Sequence, residues 1–172
     1  MLLKHSYLSM INLSNYAIIN AAFSYLPKNA RDICYHRFLF NTDFPEIVHI
    51  ENTNACNAQC IMCPREKMTR PIGFMDFVLF KKIVDECAVN RQFRTMHLHG
   101  YGECLIEKNF YRKISYAKGK GVKETYIVSN GSLLSEEMAV HLIQAGLDKI
   151  KISLYGASEE IYEKVHVNLK FR

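Results

Sequence analysis

From Glu46 onward, short β-prone apolar runs alternate with longer segments of helical spacing. No other feature constrains the fold as much. Ile47-Val48-His49-Ile50 reads as a first strand. Asp76 is placed to cap a helix whose apolar face is Phe77, Phe80, Val84 and Cys87. Thr95 to His99 is a second strand, followed by a helix through Phe110, Ile114 and Ala117 that Gly119 and Gly121 stop. Thr125 to Val128 is a third strand. Ser135 opens the next helix with Glu136 and Glu137 in its first turn, where the helix dipole favours anions, and Gly146 closes it. Ile150 to Leu154 is a fourth strand, and Ser158 to Val165 a last helix. A β-α repeat of this kind predicts an α/β fold, a parallel sheet joined by crossover helices.

Residues 1–44 read as a helical preamble and linker, and residues 45–172 as the core domain. The segment from Leu8 to Leu26 carries no charge but holds Ser9, Asn12, Ser14, Asn15, Asn20 and Ser24, too polar a set for a spanning helix. It also lacks a signal-peptide cleavage pattern. It reads as a helix lying against the domain or a surface, and Lys28 to Asp43 as a polar connection. A membrane role is not expected, and a cytoplasmic location is. Apolar residues at 49% and charged residues at 23% exclude wholesale disorder. A net charge of +5, spread along the chain, gives no indication of a nucleic-acid partner.

Parallel α/β folds put their chemistry at the C-terminal ends of strands. Here the first strand runs into Thr53, Asn54 and Cys56, and the second into Gly100-Tyr101-Gly102-Glu103. The third runs into Ser129-Asn130-Gly131, and the fourth carries Ser153. Beside them stands Cys56-Asn57-Ala58-Gln59-Cys60-Ile61-Met62-Cys63, a C-x3-C-x2-C triplet. Three soft thiolates on one loop suit an iron–sulfur cluster with one iron left open. Zinc would want a fourth closed ligand, and Cys87 and Cys104 are not at zinc-ribbon spacing. Cluster, zinc and plain structural thiols all stay open on local chemistry. His97 and His99 alternate across Leu98 and face one way. They read as inward packing or cavity lining before metal. Cys34 and Cys87 read as ordinary buried or half-buried thiols.

The triplet directly after the first strand of a βα series resembles the signature of the radical S-adenosylmethionine (SAM) superfamily. Ile50-Glu51-Asn52-Thr53-Asn54-Ala55-Cys56, Met62-Cys63-Pro64-Arg65 and Gly73-Phe74-Met75-Asp76 are similar to its SPASM-type branch. The resemblance implies a partial parallel (βα) barrel and a [4Fe-4S] cluster on Cys56, Cys60 and Cys63, with SAM chelating the fourth iron. It implies that Met62 contacts the adenine side. Gly100, Gly102 and Glu103 would bind the methionine amino group, the glycines letting backbone approach the ligand. Ser129 and Asn130 would match the family's segment after the third strand, and Ser153 would face ribose or carboxylate. It implies reductive cleavage of SAM to a 5′-deoxyadenosyl radical, an electron donor such as flavodoxin or ferredoxin, and a peptide or protein substrate. Arg65, Lys67 and Arg70 near the loop read as solvated charges.

The resemblance also has gaps. At about 31 residues per unit, Ile47 to Arg172 holds about four βα units against the six usual in this family. No cysteine-rich C-terminal region follows. His166 stands where arginine is common, and residues 167–172 match nothing familiar. The expectation is a truncated core with an exposed edge at the fourth strand. The alternatives are an inactive remnant that at most binds a cluster, or a zinc-binding interaction module.

Overall fold

The computed structural model describes residues 25–34 and 44–171. The chain divides into two compact units, 1–43 and 44–172. In the first unit the described residues form a helix, α1 (Lys28–Cys34). This corrects the expected polar connection: Lys28 to Cys34 is a continuous run without Gly or an internal Pro, and Pro27 precedes its first turn. The helix expected across Leu8–Leu26 lies almost wholly outside the described residues.

In the second unit the elements run β1 (Ile47–His49), β2 (Gln59–Cys60), α2 (Phe77–Ala88), β3 (Thr95–His97), α3 (Tyr111–Gly119), β4 (Glu124–Ser129), α4 (Glu136–Gln144), β5 (Lys149–Ile152), α5 (Glu159–Val165) and β6 (His166–Val167). Strands β1, β3, β4 and β5 form one sheet in that order, and every pair in it is parallel. The parallel sheet is what the alternation predicts, and its about four βα units make the partial (βα) barrel that the resemblance implies. Two short 3-10 turns, Pro64–Lys67 and Cys104–Ile106, follow the cysteine loop and the glycine-containing segment.

The local signals act as expected. The Asp76 carboxylate accepts from Val78 N–H at the start of α2, and Ser135 Oγ accepts from Met138 N–H at the start of α4. Gly121, just past α3, sits at φ 85°, where a side chain would be strained. Phe80, Val84 and Cys87 of α2 are buried against Met96 of β3, Leu98 just beyond it and Ile127 of β4, with Phe110 at the start of α3 and Ile114 and Ala117 within it. One face of the sheet is thus closed by helices. In this sheet β5 is an outer strand, and all four of its residues are exposed. Lys149 and Lys151 stand on it, charges of the kind that keep sheet edges from pairing.

The last described residues are not a loose end. Strand β6 pairs antiparallel with β2, setting His166 opposite Cys60 and Val167 opposite Gln59. Leu169 and Tyr162 pack with Ala58 in a small second core. The segment after Val165, unfamiliar as sequence, folds back onto the cysteine loop.

Among the described residues, no helix is long and apolar enough to cross a membrane.

Candidate functional site

The lead-in to the cysteine loop is held by its own polar side chains. Thr53 Oγ1 donates to the Gly73 carbonyl at 2.7 Å and accepts from Ala55 N–H at 3.0 Å. Asn54 donates to the Pro71 carbonyl and accepts from Gly73 N–H. Met75 N–H donates to the Asn52 carbonyl at 2.7 Å. The two similar-looking stretches, 50–56 and 73–76, are therefore two sides of one clasp.

Cys56, Cys60 and Cys63 are free thiols, each half-buried. Burial is the first cause that raises the Cys56 thiol above its usual range, ahead of the opposing hydrogen bond from Ala58 N–H. Burial likewise raises Cys60, followed by the neighbouring Cys56 and Cys63 sulfurs. Arg65 opposes both shifts. It is no solvated charge: its side chain is 11% exposed and its guanidinium donates to the Ala58 carbonyl at 3.2 Å, inside the loop. Arg70 is tied to Glu51, whose other oxygen accepts from Tyr101 N–H at 3.1 Å.

His166 is fully buried and reaches the loop from β6. Its Nδ1 lies 3.2 Å from Cys60 Sγ, and its Nε2 accepts from Tyr155 N–H at 3.3 Å. A ring nitrogen that accepts carries no proton in a neutral imidazole, so Nδ1 is the protonated one and donates to sulfur. Sequence reasoning noted His166 only as a departure from the usual arginine.

Glu103 joins two rims. Its carboxylate is buried; Oε1 accepts from Leu105 N–H and Ser129 Oγ–H, and Oε2 from Asn130 N–H at 2.7 Å. The Asn130 side chain donates to Asn57 Oδ1, and Asn57 donates to Ser132 Oγ. Asn57, inside the triplet, was not singled out by its sequence, although it is the polar residue directly after Cys56. Ser129 Oγ is committed to Glu103 and Gly131 N–H. Ser153 lies one residue beyond β5, its N–H donating to the Ser129 carbonyl. Met62 is half exposed on the loop.

Gly100 and Gly102 are held to glycine by the chain itself. A Cβ on Gly102 would stand 2.2 Å from the Thr53 carbonyl oxygen and 2.6 Å from that of Ala55. A Cβ on Gly100 would strike the Glu51 side chain. Close approach is the reason, as expected, but what approaches is the cysteine-loop lead-in. Beside this network opens a cleft of about 540 Å³, bordered by Asn57, Asn130, Gly131, Ile152 and Tyr162. That size suits a small-molecule ligand.

The structure thus brings Cys56, Cys60, Cys63, Gly102, Glu103, Ser129 and Asn130 into one connected rim. Among the described residues, ligating side chains whose donor atoms all lie within 4.8 Å of one another are His49, His97 and His99; the three cysteines do not form such a group. One ion needs its donors that close, whereas thiolates on a cubane each bind a different iron and stand apart. Three soft, unpaired donors with N–H groups aimed at two of them suit a cluster in kind.

Comparison with known proteins agrees with this architecture. The chain is 30% identical over 107 residues to the tungsten-containing aldehyde ferredoxin oxidoreductase cofactor-modifying protein of Pyrococcus furiosus, covering 62% of this chain and 30% of that protein. It is 32% identical over 120 residues to a probable GTP 3',8-cyclase of Sulfolobus acidocaldarius, covering 70% and 37%. The chain therefore spans about a third of the length of these curated relatives. Among solved structures, BtrN in complex with AdoMet and 2-DOIA superposes with a TM-score of 0.61 at 21% identity, over 73% of this chain and 53% of that one. Methylornithine synthase (PylB) gives a TM-score of 0.57 at 16% identity, over 88% and 47%. Residues 50–171 match the profile of the Radical SAM superfamily, and the chain belongs to that family.

Proposed function

We propose that Cys56, Cys60 and Cys63 hold three irons of a [4Fe-4S] cluster, that SAM binds at the adjoining rim, and that these residues bind both without turning SAM over by themselves. The observation that carries the first part is three free thiols on one clasped loop at the C-terminal end of β1, with His166 and Ala58 N–H groups directed at two sulfurs. When bound, such a cluster supplies the electron that opens a sulfonium carbon–sulfur bond.

The protein's part is binding and orientation. Glu103 Oε2 accepts one protein donor, and a carboxylate oxygen has room for a second, which suits an ammonium group. Asn130, locked to Asn57, keeps the β4 rim in register with the cysteine loop. Half-exposed Met62 offers apolar contact to a nucleobase, and Ser153 a hydroxyl at the same rim. The absence of turnover rests on the open side of the sheet, where β5 is an exposed outer strand. Radical chemistry needs a site that excludes water.

A second reading is full reductive cleavage, with hydrogen abstraction from a peptide or protein and electrons from a flavodoxin or ferredoxin. The match of residues 50–171 to the Radical SAM superfamily favours it. The test is anaerobic incubation of the iron-loaded chain with SAM and dithionite. SAM retained in equilibrium dialysis without 5′-deoxyadenosine supports the first reading. Deoxyadenosine formation supports the second. No SAM retention overturns both, and zinc uptake in place of iron points to a zinc-binding module.

A further inference from the structure

The helix-covered face of the sheet is apolar, but the other face is not. Side chains alternate along a strand, so His49 of β1, His97 of β3 and Tyr126 of β4 project to that other face, and the His99 ring, two residues beyond His97, packs against all three. Register sets His49 directly beside His97, and His97 beside Tyr126. The His49 and His97 rings lie 4.2 Å apart between centroids, and His99 lies 5.6 Å from His49 and 5.5 Å from His97.

Two further observations point to a ligand. Nδ1 of His97 and Nδ1 of His99 are both buried and have no hydrogen-bond partner. A buried polar atom left unpaired is costly, so two on neighbouring rings are anomalous unless something binds them. One donor nitrogen from each of the three rings lies within 4.8 Å of the others, close to what a single ion requires. We propose that His49, His97 and His99 form a three-imidazole site for a divalent transition-metal ion of the zinc class, separate from the cysteine loop.

Three neutral imidazoles with a fourth position open is a donor set that zinc uses in catalytic sites, and imidazole suits zinc and its neighbours in the first row. Burial first, then neighbouring His49, holds His97 below its usual range; burial, then His97, does the same for His99. The charges facing them are Glu124, which favours a cation, and Lys149 and Lys151, which oppose it. Lys149 is paired to Glu124 at 2.7 Å. An ion here would bridge β1 to β3 on the uncovered face and present its open position there.

The test is zinc binding by the full chain, measured by equilibrium dialysis against a competing chelator, in wild type and in a Cys56→Ser/Cys60→Ser/Cys63→Ser variant. The site predicts one zinc per chain in the triple variant, with nitrogen and no sulfur neighbours by X-ray absorption. Adding His49→Ala, at an exposed position that does not endanger folding, weakens that zinc by at least the 10- to 100-fold seen for lost outer-shell partners. The same comparison in iron-loaded wild type, whose cluster thiolates are then occupied, gives the readout should the triple variant not fold. Zinc binding unchanged by His49→Ala, or no zinc bound once the cysteines are replaced or occupied, overturns the site.

Discussion

His166 Nδ1 stands 3.2 Å from Cys60 Sγ, across a two-stranded ladder that joins residues 106 positions apart in the chain. Its other ring nitrogen is fixed by Tyr155 N–H, and its ring lies against Tyr155 and Tyr162. The proton on Nδ1 is therefore directed at sulfur by the fold. Hydrogen bonds to cluster sulfurs are among the features that set a cluster's potential.

Replacing His166 removes that bond and strands the Tyr155 N–H. His166→Phe is expected to leave iron content unchanged and to shift the midpoint potential of the loaded protein to a more negative value, read by redox titration with electron paramagnetic resonance. Denaturant unfolding should show a loss of about 1–3 kcal/mol from the unsatisfied buried donor.

Glu103→Gln puts an amide donor against a donor in a buried site, because Leu105, Ser129 and Asn130 all donate to the carboxylate. About 1–3 kcal/mol of stability should be lost. SAM retention should fall while iron content holds, and calorimetric titration of the loaded protein with SAM checks this.

Gly102→Ala forces a methyl into the Thr53 and Ala55 carbonyls, which are backbone and cannot swing aside. A loss of about 1–3 kcal/mol or more is expected from urea unfolding. Gly119→Ala, at the end of α3 with nothing within 4 Å of the new methyl, should instead stabilise by about 0.4–1 kcal/mol.

Asp148 supplies a pH dependence. Burial opposes its ionisation, but hydrogen bonds from Thr125 N–H, Lys118 and Thr125 Oγ–H outweigh it and hold the carboxyl below its usual value. A depressed folded pKa stabilises fully above the unfolded value near 3.9 and is lost as pH falls through the folded one. The stability difference between wild type and Asp148→Asn should be constant near neutrality and shrink below about pH 4, measured by thermal melts across that range.

The architecture was legible because its signals are local. Phe80, Val84 and Cys87 are buried as their spacing requires, and Asp76 and Ser135 cap where a side-chain oxygen could reach. The cysteine triplet announced itself by spacing alone. What could not be read depends on which strands pair. His97 and His99 were visible as one face of a strand, but His49 joins them only through the β1–β3 register. The Cys60–His166 contact exists only because β6 returns to β2, and neither two-residue strand carries a periodic pattern. Arg65 looked like a solvated charge because nothing in its neighbours' sequence shows that the Ala58 carbonyl turns toward it. Most of Leu8–Leu26, where a helix was expected, falls outside the described residues.

The central claim is that Cys56, Cys60 and Cys63 are cluster ligands, and iron and sulfide analysis after anaerobic reconstitution tests it most directly. The account predicts about four iron and four sulfide per chain in wild type, the stoichiometry of a [4Fe-4S] cube, and a marked loss of both in each of Cys56→Ala, Cys60→Ala and Cys63→Ala. Cys87→Ala should load like wild type. Equal iron in wild type and all three loop variants would contradict it.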